Sequence, residues 1–410
     1  MPGRVLYLSQ WFPPENGAVG LQVAKGLIAR GYEVEALTGF PNYPTGRLAP
    51  GYVLAPYHRE VIDDVVVHRV FLYPSHDRSS VLRALNYLSF FISSFVFCLT
   101  RGRRYDAIYV YHPPIMPALA VALSGFLTRR PFVLEVQDLW PDSVAASAMT
   151  GTGLMTRILD PICRYVYRRA AFVLGQSVGM VARLVERGSA PESTGVIYNW
   201  ADESLTRTTG SYDIAALGFE GRFNFVYAGN IGVMQALETL IKAAHRVADT
   251  SPHVQLTLIG EGAERGRLEA LIAKLGARNV QLLPGVPQVQ IGDVLAAADV
   301  LIVHLRDDPL FEITLPSKLQ FYLAMGRPVL AGVRGEAARL VEDADVGVVF
   351  EPENVAAAAE AFERLASARR ADLEAMGKRA RGLYDKRFSF ATSLSRMDAA
   401  IQVALKSKPA

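Results

Sequence analysis

A short segment in the C-terminal half of the chain combines a helix start with a lysine. Residues 314–331 read Thr-Leu-Pro-Ser-Lys-Leu-Gln-Phe-Tyr-Leu-Ala-Met-Gly-Arg-Pro-Val-Leu-Ala. Pro316 suits a first helical turn, because its missing N–H would be unpaired there in any case. The free N–H groups and partial positive charge of a helix N-terminus favour a phosphate, and Lys318 adds a full charge at the same end. Pro316, Ser317 and Lys318, with a strand following Gly326, therefore predict a diphosphate-binding site at the edge of a parallel sheet.

Two glycine-containing loops follow strand-like segments and are candidates to contact the same diphosphate. The loop at 11–20 contains Gly17 and Gly20, which permit close approach of the backbone to a ligand. The loop at 227–238 offers backbone N–H groups and two side-chain amides. Its candidate ligands are Gly229, Asn230, Gly232 and Gln235. Neither loop has the GxGxxG or P-loop pattern, so an ordinary strand–helix turn is the alternative for each.

A third loop, at 256–264, ends a strand with Gly260, Glu261 and Gly262. Glycines at this position would let a planar base lie against the backbone. Glu261 or Glu264 would accept hydrogen bonds from a base or a ribose. A glutamate that caps the following helix is the alternative.

Two further strand ends carry polar side chains in the N-terminal half. Asp138 follows the predicted strand at 132–136, and His112 follows the predicted strand at 107–111. Because ligands of open α/β sheets bind at the carboxyl ends of strands, both residues are candidates for catalysis. A surface carboxylate and a structural histidine are the alternatives.

The composition excludes several classes of protein. The chain of 410 residues is half hydrophobic and one-fifth charged, as globular proteins are, and its net charge of +3 gives little support for binding nucleic acid. Cys98 and Cys163 lie in apolar surroundings, which predicts buried thiols in a reducing compartment. The first residues lack the features of a signal peptide, so we expect a cytoplasmic protein. No His/Cys cluster has metal-ligand spacing, and Asp343-Ala-Asp345 precedes a strand in a turn, so no metal site is predicted.

Residues 84–100 form an uncharged apolar segment, and three arginines follow it at 101–104. The segment is shorter than the ~20 apolar residues of a membrane-spanning helix, and it contains Asn86 and three serines. A buried helix is one interpretation. A helix that lies at a bilayer surface, held there by the arginines, is another, and a true span is the third.

Strands alternate with helices in both halves of the chain, which predicts two parallel sheets. The pattern dissolves into polar and small residues around 199–219 and restarts at 223. We therefore predict an N-terminal Rossmann-like domain at 1–200, a second at 201–385, and a C-terminal helix at 386–410. Two such α/β domains would leave a cleft between them.

The order of these motifs resembles the retaining glycosyltransferases of family 4, which have the two-domain GT-B fold. The resemblance spans almost the whole chain and is nearest to bacterial surface-polysaccharide enzymes of the colanic-acid and L-fucosamine (N-acetylfucosamine) transferase type. It rests on Trp-Phe-Pro-Pro-Glu-Asn-Gly, Val-Gln-Asp-Leu-Trp-Pro-Asp-Ser, Val-Ile-Tyr-Asn-Trp-Ala-Asp, Tyr-Ala-Gly-Asn-Ile-Gly, Leu-Ile-Gly-Glu-Gly-Ala-Glu and Leu-Pro-Ser-Lys.

The resemblance implies a division of labour between two domains that face a central cleft. The C-terminal domain would bind a nucleotide-sugar, expected to be a UDP-sugar, and the N-terminal domain would bind a lipid-linked acceptor at the membrane surface through residues 84–104. Asn199 would join the donor site, the loop from Gly17 to Gly20 would close over the sugar, and the last helix would cross back to the N-terminal domain. We predict catalytic roles for Asp138, Lys318 and His112, and no cofactor besides the nucleotide-sugar co-substrate.

The sequence departs from the family pattern at three places. Where members often have His-Asp after a strand of the first domain, this chain has Gln137-Asp138. Members usually carry Arg and Lys where this chain has Asn230 and Gln235. The Glu-x7-Glu motif is degraded, and Glu312 and Gln320 keep its spacing one residue earlier. Two alternatives therefore stay open: a non-catalytic nucleotide-sugar-binding component of an assembly complex, and a GT-B enzyme that acts on a soluble acceptor.

Overall fold

The computed structural model describes residues 3–15, 19–75, 80–142 and 152–407. The chain forms two compact units. The first consists of residues 1–197 and 394–410, and the second of residues 198–393. The predicted divisions at 200 and 385 lie 3 and 8 residues from these boundaries.

The first unit contains an eight-stranded sheet in the order β3-β4-β2-β1-β5-β6-β7-β8. Its strands are β1 (Arg4–Leu8), β2 (Glu33–Gly39), β3 (Tyr57–Ile62), β4 (Val65–Val70), β5 (Ala107–His112), β6 (Phe132–Val136), β7 (Phe172–Gly175) and β8 (Thr194–Val196). All pairs are parallel except β3–β4. Asp63 and Asp64 join those two strands with positive φ angles of 46° and 66°, as a two-residue hairpin turn requires.

The helices of the first unit alternate with these strands. They are α1 (Gly20–Ala29), α2 (Ser80–Arg101), α3 (Ile115–Thr128), α4 (Thr152–Arg169) and α5 (Val178–Glu186). The last helix of the chain, α14 (Phe390–Lys406), belongs to this unit from residue 394 onward. Its Asp398 accepts hydrogen bonds from the Arg30 guanidinium (2.9 Å) and the Tyr32 hydroxyl (2.6 Å), which holds the helix against the α1–β2 connection.

The second unit contains a six-stranded parallel sheet in the order β11-β10-β9-β12-β13-β14. Its strands are β9 (Phe223–Ala228), β10 (Val254–Ile259), β11 (Val280–Leu283), β12 (Val300–His304), β13 (Val329–Gly332) and β14 (Gly347–Phe350). Its helices are α6 (Glu238–Arg246), α7 (Arg265–Leu275), α8 (Ile291–Ala297), α9 (Pro309–Glu312), α10 (Ser317–Ala324), α11 (Gly335–Asp343), α12 (Val355–Ala366) and α13 (Arg370–Arg387).

The sequences of the central strands explain why both sheets are parallel. Every residue of β6, β10, β12 and β13 is buried. Strands that are covered on both faces read as continuous apolar runs and occur in α/β proteins. The predicted α/β class with two Rossmann-like sheets is confirmed.

The apolar segment after residue 80 forms a helix with a partly exposed surface. Among the described residues, Val81–Arg104 is the one helical stretch long and apolar enough to cross a membrane, and 28% of its most apolar window is buried. A core helix would be mostly buried, so the interpretation of α2 as a fully buried helix is not supported.

Candidate functional site

A pocket of about 400 Å³ opens at the carboxyl ends of β9 and β10 in the second unit. Ligands of open α/β sheets bind at such strand ends. The pocket is bordered by the glycines that end these strands, by the first turn of α10, and by apolar side chains. Its lining includes Trp200, Leu205, Gly229, Gly260, Val286, Ile291, Leu295, Ser317, Lys318 and Phe321. The described lining contains one carboxylate, Asp202, which accepts hydrogen bonds from the N–H (3.0 Å) and hydroxyl (2.6 Å) of Ser204.

Lys318 supplies the positive charge of this pocket. Its Nζ atom lies over the Tyr227 ring, 4.1 Å from the centroid, and donates to the Tyr227 hydroxyl. No carboxylate among the described residues forms an ion pair with it. Burial without a counter-charge lowers the pKa of Lys318 to about 8. A partly buried cation beside an open pocket favours an anionic ligand, because the ligand would provide the missing charge.

The two strand-end glycines are required for the backbone to pass this close. A Cβ atom at Gly229 would lie 2.3 Å from Lys318 Cε and 2.7 Å from its Nζ. A Cβ atom at Gly260 would lie 1.9 Å from the Gly229 carbonyl oxygen. Their φ angles of 137° and 148° are also ones that other residues rarely adopt.

Tyr322, one turn after Lys318, fixes the end of β9. Its hydroxyl bonds to both the N–H (3.1 Å) and the carbonyl (3.2 Å) of Ala228. Because Ala228 precedes Gly229, this contact ties α10 to the glycine turn. The side chain that does this was not singled out in the sequence, and its only sign there is a tyrosine inside an apolar helix.

The amides predicted to bind a diphosphate are engaged with their own loop. The Gln235 Oε1 atom accepts from the Gly232 N–H (3.1 Å) and from Asn230 Nδ2 (3.4 Å), and neither amide lines the pocket. His304 at the end of β12 lies 2.7 Å from the Gln235 carbonyl through Nδ1. A carbonyl oxygen only accepts, so Nδ1 carries the proton. Asn230 and Gln235 therefore shape the loop, and their contact with a ligand stays a prediction.

The predicted base and ribose residues occupy the rim or lie elsewhere. Glu261 has an exposed side chain whose Oε1 is 3.4 Å from the Gly285 N–H, at the pocket edge. Gly262 approaches the Ile231 carbonyl so closely that a Cβ atom would lie 2.1 Å from that oxygen. Asn199 immediately precedes Trp200, which lines the pocket.

The eight-residue spacing of Glu312 and Gln320 does not bring both residues to the pocket. Glu312 is exposed at the end of α9, and the pocket lining includes neither residue. Gln320 is 2% exposed, and its amide, oriented with nitrogen toward the helix start, donates to the carbonyls of Pro316 (2.6 Å) and Ser317 (3.1 Å). Pro316 is the residue before α10 rather than its first helical residue. The geometry therefore does not support Glu312 and Gln320 as replacements for the two glutamates of the Glu-x7-Glu motif.

His112 does not have the surroundings of a catalytic residue. It is fully buried, its ring packs edge-on against Trp140 at 5.8 Å, and neither ring nitrogen has a hydrogen-bond partner among the described residues. Burial lowers its pKa to about 3. At neutral pH it is uncharged and closed off, so a structural histidine fits better than an acid or base.

The other predicted residues of the first unit differ in exposure. Asp138 is exposed to solvent, but nearby protein groups partly desolvate its carboxyl group and raise the pKa of that group above its usual value. Gly20 begins α1, and a Cβ atom there would lie 2.6 Å from the Phe12 ring, so the glycine serves close packing. Gly17 lies outside the described residues.

Glu135 is a titratable residue that none of the sequence motifs predicted. It is fully buried in β6, where the Tyr109 hydroxyl and the Gln137 amide (2.6 Å) donate to its carboxyl group. Burial raises its pKa to about 7. A glutamate inside the apolar run Phe132–Val136 was the available sign.

The described residues contain no metal-binding site. They contain no group of three or more His, Cys, Asp or Glu side chains that could hold an ion. Metal independence stays a prediction.

Two family models match the two halves of the chain. Residues 213–383 match the glycosyl transferases group 1. Residues 17–200 match the glycosyl transferase 4-like domain. The second half of the chain therefore has the sequence of a group 1 glycosyl transferase, and the first half that of a glycosyl transferase 4-like domain.

The glycosyltransferase is similar to two bacterial proteins over most of its length. It is 29% identical over 371 residues to the glycosyl transferase WcaI of Escherichia coli (strain K12), a protein named for colanic acid biosynthesis, and the match covers 86% of this chain and 90% of that protein. It is 23% identical over 354 residues to a protein of Pseudomonas aeruginosa named as the glycosyltransferase WbjE, with 84% and 86% covered.

Solved structures share the fold of the glycosyltransferase. Anabaena Alr3699/HepE in complex with UDP has a TM-score of 0.68 at 18% identity, covering 97% of this chain and 99% of that chain. WaaG, a glycosyltransferase involved in lipopolysaccharide biosynthesis, has a TM-score of 0.64 at 16% identity, with 97% and 99% covered. The predicted GT-B fold is confirmed by these likenesses.

Proposed function

We propose that this glycosyltransferase transfers a sugar, N-acetylated or deoxy, from a UDP-sugar to a lipid-linked saccharide in surface-polysaccharide assembly, with retention of anomeric configuration and without a metal. The observation that carries the proposal is Lys318, a partly buried cation without a carboxylate partner among the described residues, at the edge of the pocket. The relative named for colanic acid biosynthesis and the UDP complex of HepE support the choice of product class and nucleotide.

The pocket supplies the electrostatics that such a transfer needs. The bond from the sugar to the diphosphate breaks, and negative charge develops on the departing phosphate oxygen. Lys318 and the first N–H groups of α10, beginning at Ser317, would stabilise that charge. Fixed donors of this kind act without the reorganisation that water would require, which is why they lower the barrier.

The acceptor chemistry follows from the family resemblance. The acceptor hydroxyl attacks the same face from which the diphosphate leaves, and the departing phosphate oxygen takes the hydroxyl proton. The apolar side chains of the pocket, Trp200 and Phe321 among them, would reduce the access of water to the donor. Asp138 is the exposed carboxylate of the first unit that we assign to orienting the acceptor.

A lipid-linked acceptor requires an enzyme at the membrane, and α2 has a suitable surface. Leu88, Ile92 and Val96 lie at helical spacing and are each about half exposed, at 48%, 53% and 51%. Arg101, Arg103 and Arg104 follow at the C-terminal end of the helix. An apolar helix face next to cationic side chains is typical of interfacial membrane binding. We therefore place the enzyme on the cytoplasmic face of the membrane through residues 84–104.

The decisive experiment is a transfer assay with a panel of UDP-hexoses and UDP-N-acetylhexosamines, without metal, in the presence and absence of a bacterial lipid extract that contains lipid-linked saccharides. We expect UDP release that depends on the extract, and a product whose new linkage has the anomeric configuration of the donor by NMR.

Other results would select the alternatives. UDP binding without release against any acceptor would indicate a non-catalytic component. Transfer to soluble saccharides alone would indicate a soluble acceptor. An inverted linkage, or activity that is restored only by a divalent cation, would contradict the mechanism.

A further inference from the structure

Four arginines line one small pocket of the first unit. The pocket has a volume of about 170 Å³ and lies between the C-terminal ends of α3 and α4. Its charged lining residues are Arg129, Arg130, Arg168 and Arg169, and the lining contains no carboxylate among the described residues. Four arginines around one concave surface suit a multiply charged anion.

These charges are not neutralised within the described part of the chain. None of the four guanidinium groups forms an ion pair there. The Arg130 Nε atom is buried without a hydrogen-bond partner, while its Nη2 donates to the Arg103 carbonyl (3.0 Å). Like charges held together repel one another, and an anion in the pocket would offset that repulsion. A guanidinium group also presents paired N–H donors that match the oxygens of a phosphate.

The arginine pocket borders an exposed apolar surface. Phe126 and Leu127, in the last turn of α3, are 75% and 56% exposed. The Arg103 guanidinium donates to the Leu127 carbonyl (3.0 Å), which joins this turn to the end of α2. The exposed apolar residues of both helices therefore end beside the arginines. Water-soluble phosphates would gain nothing from such a neighbour, whereas a bilayer presents acyl chains and phosphates together.

We propose that the arginine pocket binds the phosphate of an anionic phospholipid headgroup while Phe126 and Leu127 enter the bilayer interface. The site is separate from the donor pocket and rests on the membrane association proposed above. The arginine pocket makes the enzyme bind an anionic lipid surface in preference to a neutral one. Charge attraction brings the enzyme to that surface, and the phosphate contact fixes the orientation of α3 on it.

The test is co-sedimentation of the full chain with phosphatidylcholine vesicles that do or do not contain phosphatidylglycerol. The variant is Arg129→Gln/Arg168→Gln, and the matched control is Arg183→Gln/Arg364→Gln, which removes the same charge at exposed positions elsewhere. We expect the wild type to bind the phosphatidylglycerol vesicles. Each arginine near an anionic surface is worth about fivefold, so the pocket variant should bind about 25-fold more weakly, and the control should change by less than about threefold. Equal melting temperatures would show that both variants fold.

Three results would overturn the proposal, and they differ from one another. Equal losses in the pocket variant and the control would mean that only net charge matters. Binding of inorganic phosphate that is lost in the pocket variant, together with unchanged vesicle binding by that variant, would mean that the pocket takes free phosphate and not a lipid headgroup. Failure of the wild type to bind either vesicle would remove the membrane association itself, and it would leave UDP binding by the donor pocket unaffected.

Discussion

Lys318 places its ammonium group 4.1 Å from the centroid of the Tyr227 ring, where an aromatic face takes the position that a carboxylate would have in an ion pair. The ring attracts the cation through its quadrupole but does not neutralise it. Burial consequently lowers the pKa of Lys318 to about 8. The lysine is held ready for a ligand that brings the negative charge.

This arrangement predicts a pH dependence of UDP binding. A bound diphosphate favours the charged ammonium and raises the pKa of Lys318 above its value of about 8 in the free protein. Above that pH, UDP binding therefore takes up a proton, and the Kd for UDP should rise by up to about tenfold per pH unit. Below that pH, the protonation of Lys318 should not change the Kd. Calorimetric titration of UDP at several pH values measures this change in Kd. Titration of the nucleotide itself affects wild type and Lys318→Ala equally, so a rise of the same steepness in both proteins would refute the assignment.

Gly229→Ala should disrupt the donor pocket while leaving most of the second unit intact. The added methyl group would lie 2.3 Å from Lys318 Cε, so the lysine must move or the turn must open. We expect UDP affinity to fall by about tenfold or more, which corresponds to ~1.4 kcal/mol. Gly266→Ala is the control, because α7 has open space at that position. The control should bind UDP normally and gain up to about 1 kcal/mol of stability. Unchanged UDP affinity in Gly229→Ala would show that the ligand binds elsewhere.

Glu135→Gln should change how stability varies with pH. The folded-state pKa of Glu135 is raised to about 7 from its ordinary 4.5, so the folded protein holds a proton that the unfolded chain releases. The contribution of this group is therefore present at low pH and is lost as pH rises from 4.5 toward 7. Relative to wild type, the variant should gain stability across that window, by about 3 kcal/mol at most. Thermal or urea unfolding at both ends of the pH window measures the gain in stability. The control is Glu192→Gln, at an exposed carboxylate, whose stability should vary with pH as that of the wild type does. A parallel curve for Glu135→Gln would mean that Glu135 is ionised throughout.

The sequence was sufficient for the central strands of both sheets and for the glycine turns. Buried parallel strands are rich in apolar residues, so β6, β10 and β12 could be placed from their sequences although each contains at least one polar residue. Gly229 and Gly260 could be recognised because a strand that ends in glycine allows close approach. Lys318 followed from its place in the first turn of a helix.

The side-chain partners could not be predicted, because they depend on contacts between distant segments. Nothing in the spacing shows that Tyr227 lies under Lys318, which is 91 residues away. The eight-residue interval between Glu312 and Gln320 suggested that both residues reach the donor site, and this was wrong for a related reason. Residues that share a helix face lie at fixed spacing only if one helix carries both, and here α9 ends at Glu312 before α10 begins at Ser317.

His112 shows the limit of arguing from strand ends. It lies at the end of β5, as its last residue, but the ring is buried and packs against Trp140. Whether a residue at a strand end faces ligand or core depends on the loops that cover it. The loop positions of α/β proteins are the part of the fold that sequence periodicity describes least.

The most direct measurement is calorimetric titration of UDP and of GDP into the wild type and Lys318→Ala, without added metal. We predict saturable binding of UDP, little binding of GDP, and a loss of UDP affinity of roughly 10- to 100-fold in the variant, as removal of a charge-assisted contact produces. UDP binding of equal strength in both folded proteins, or no UDP binding in the wild type, would contradict a donor site at Lys318.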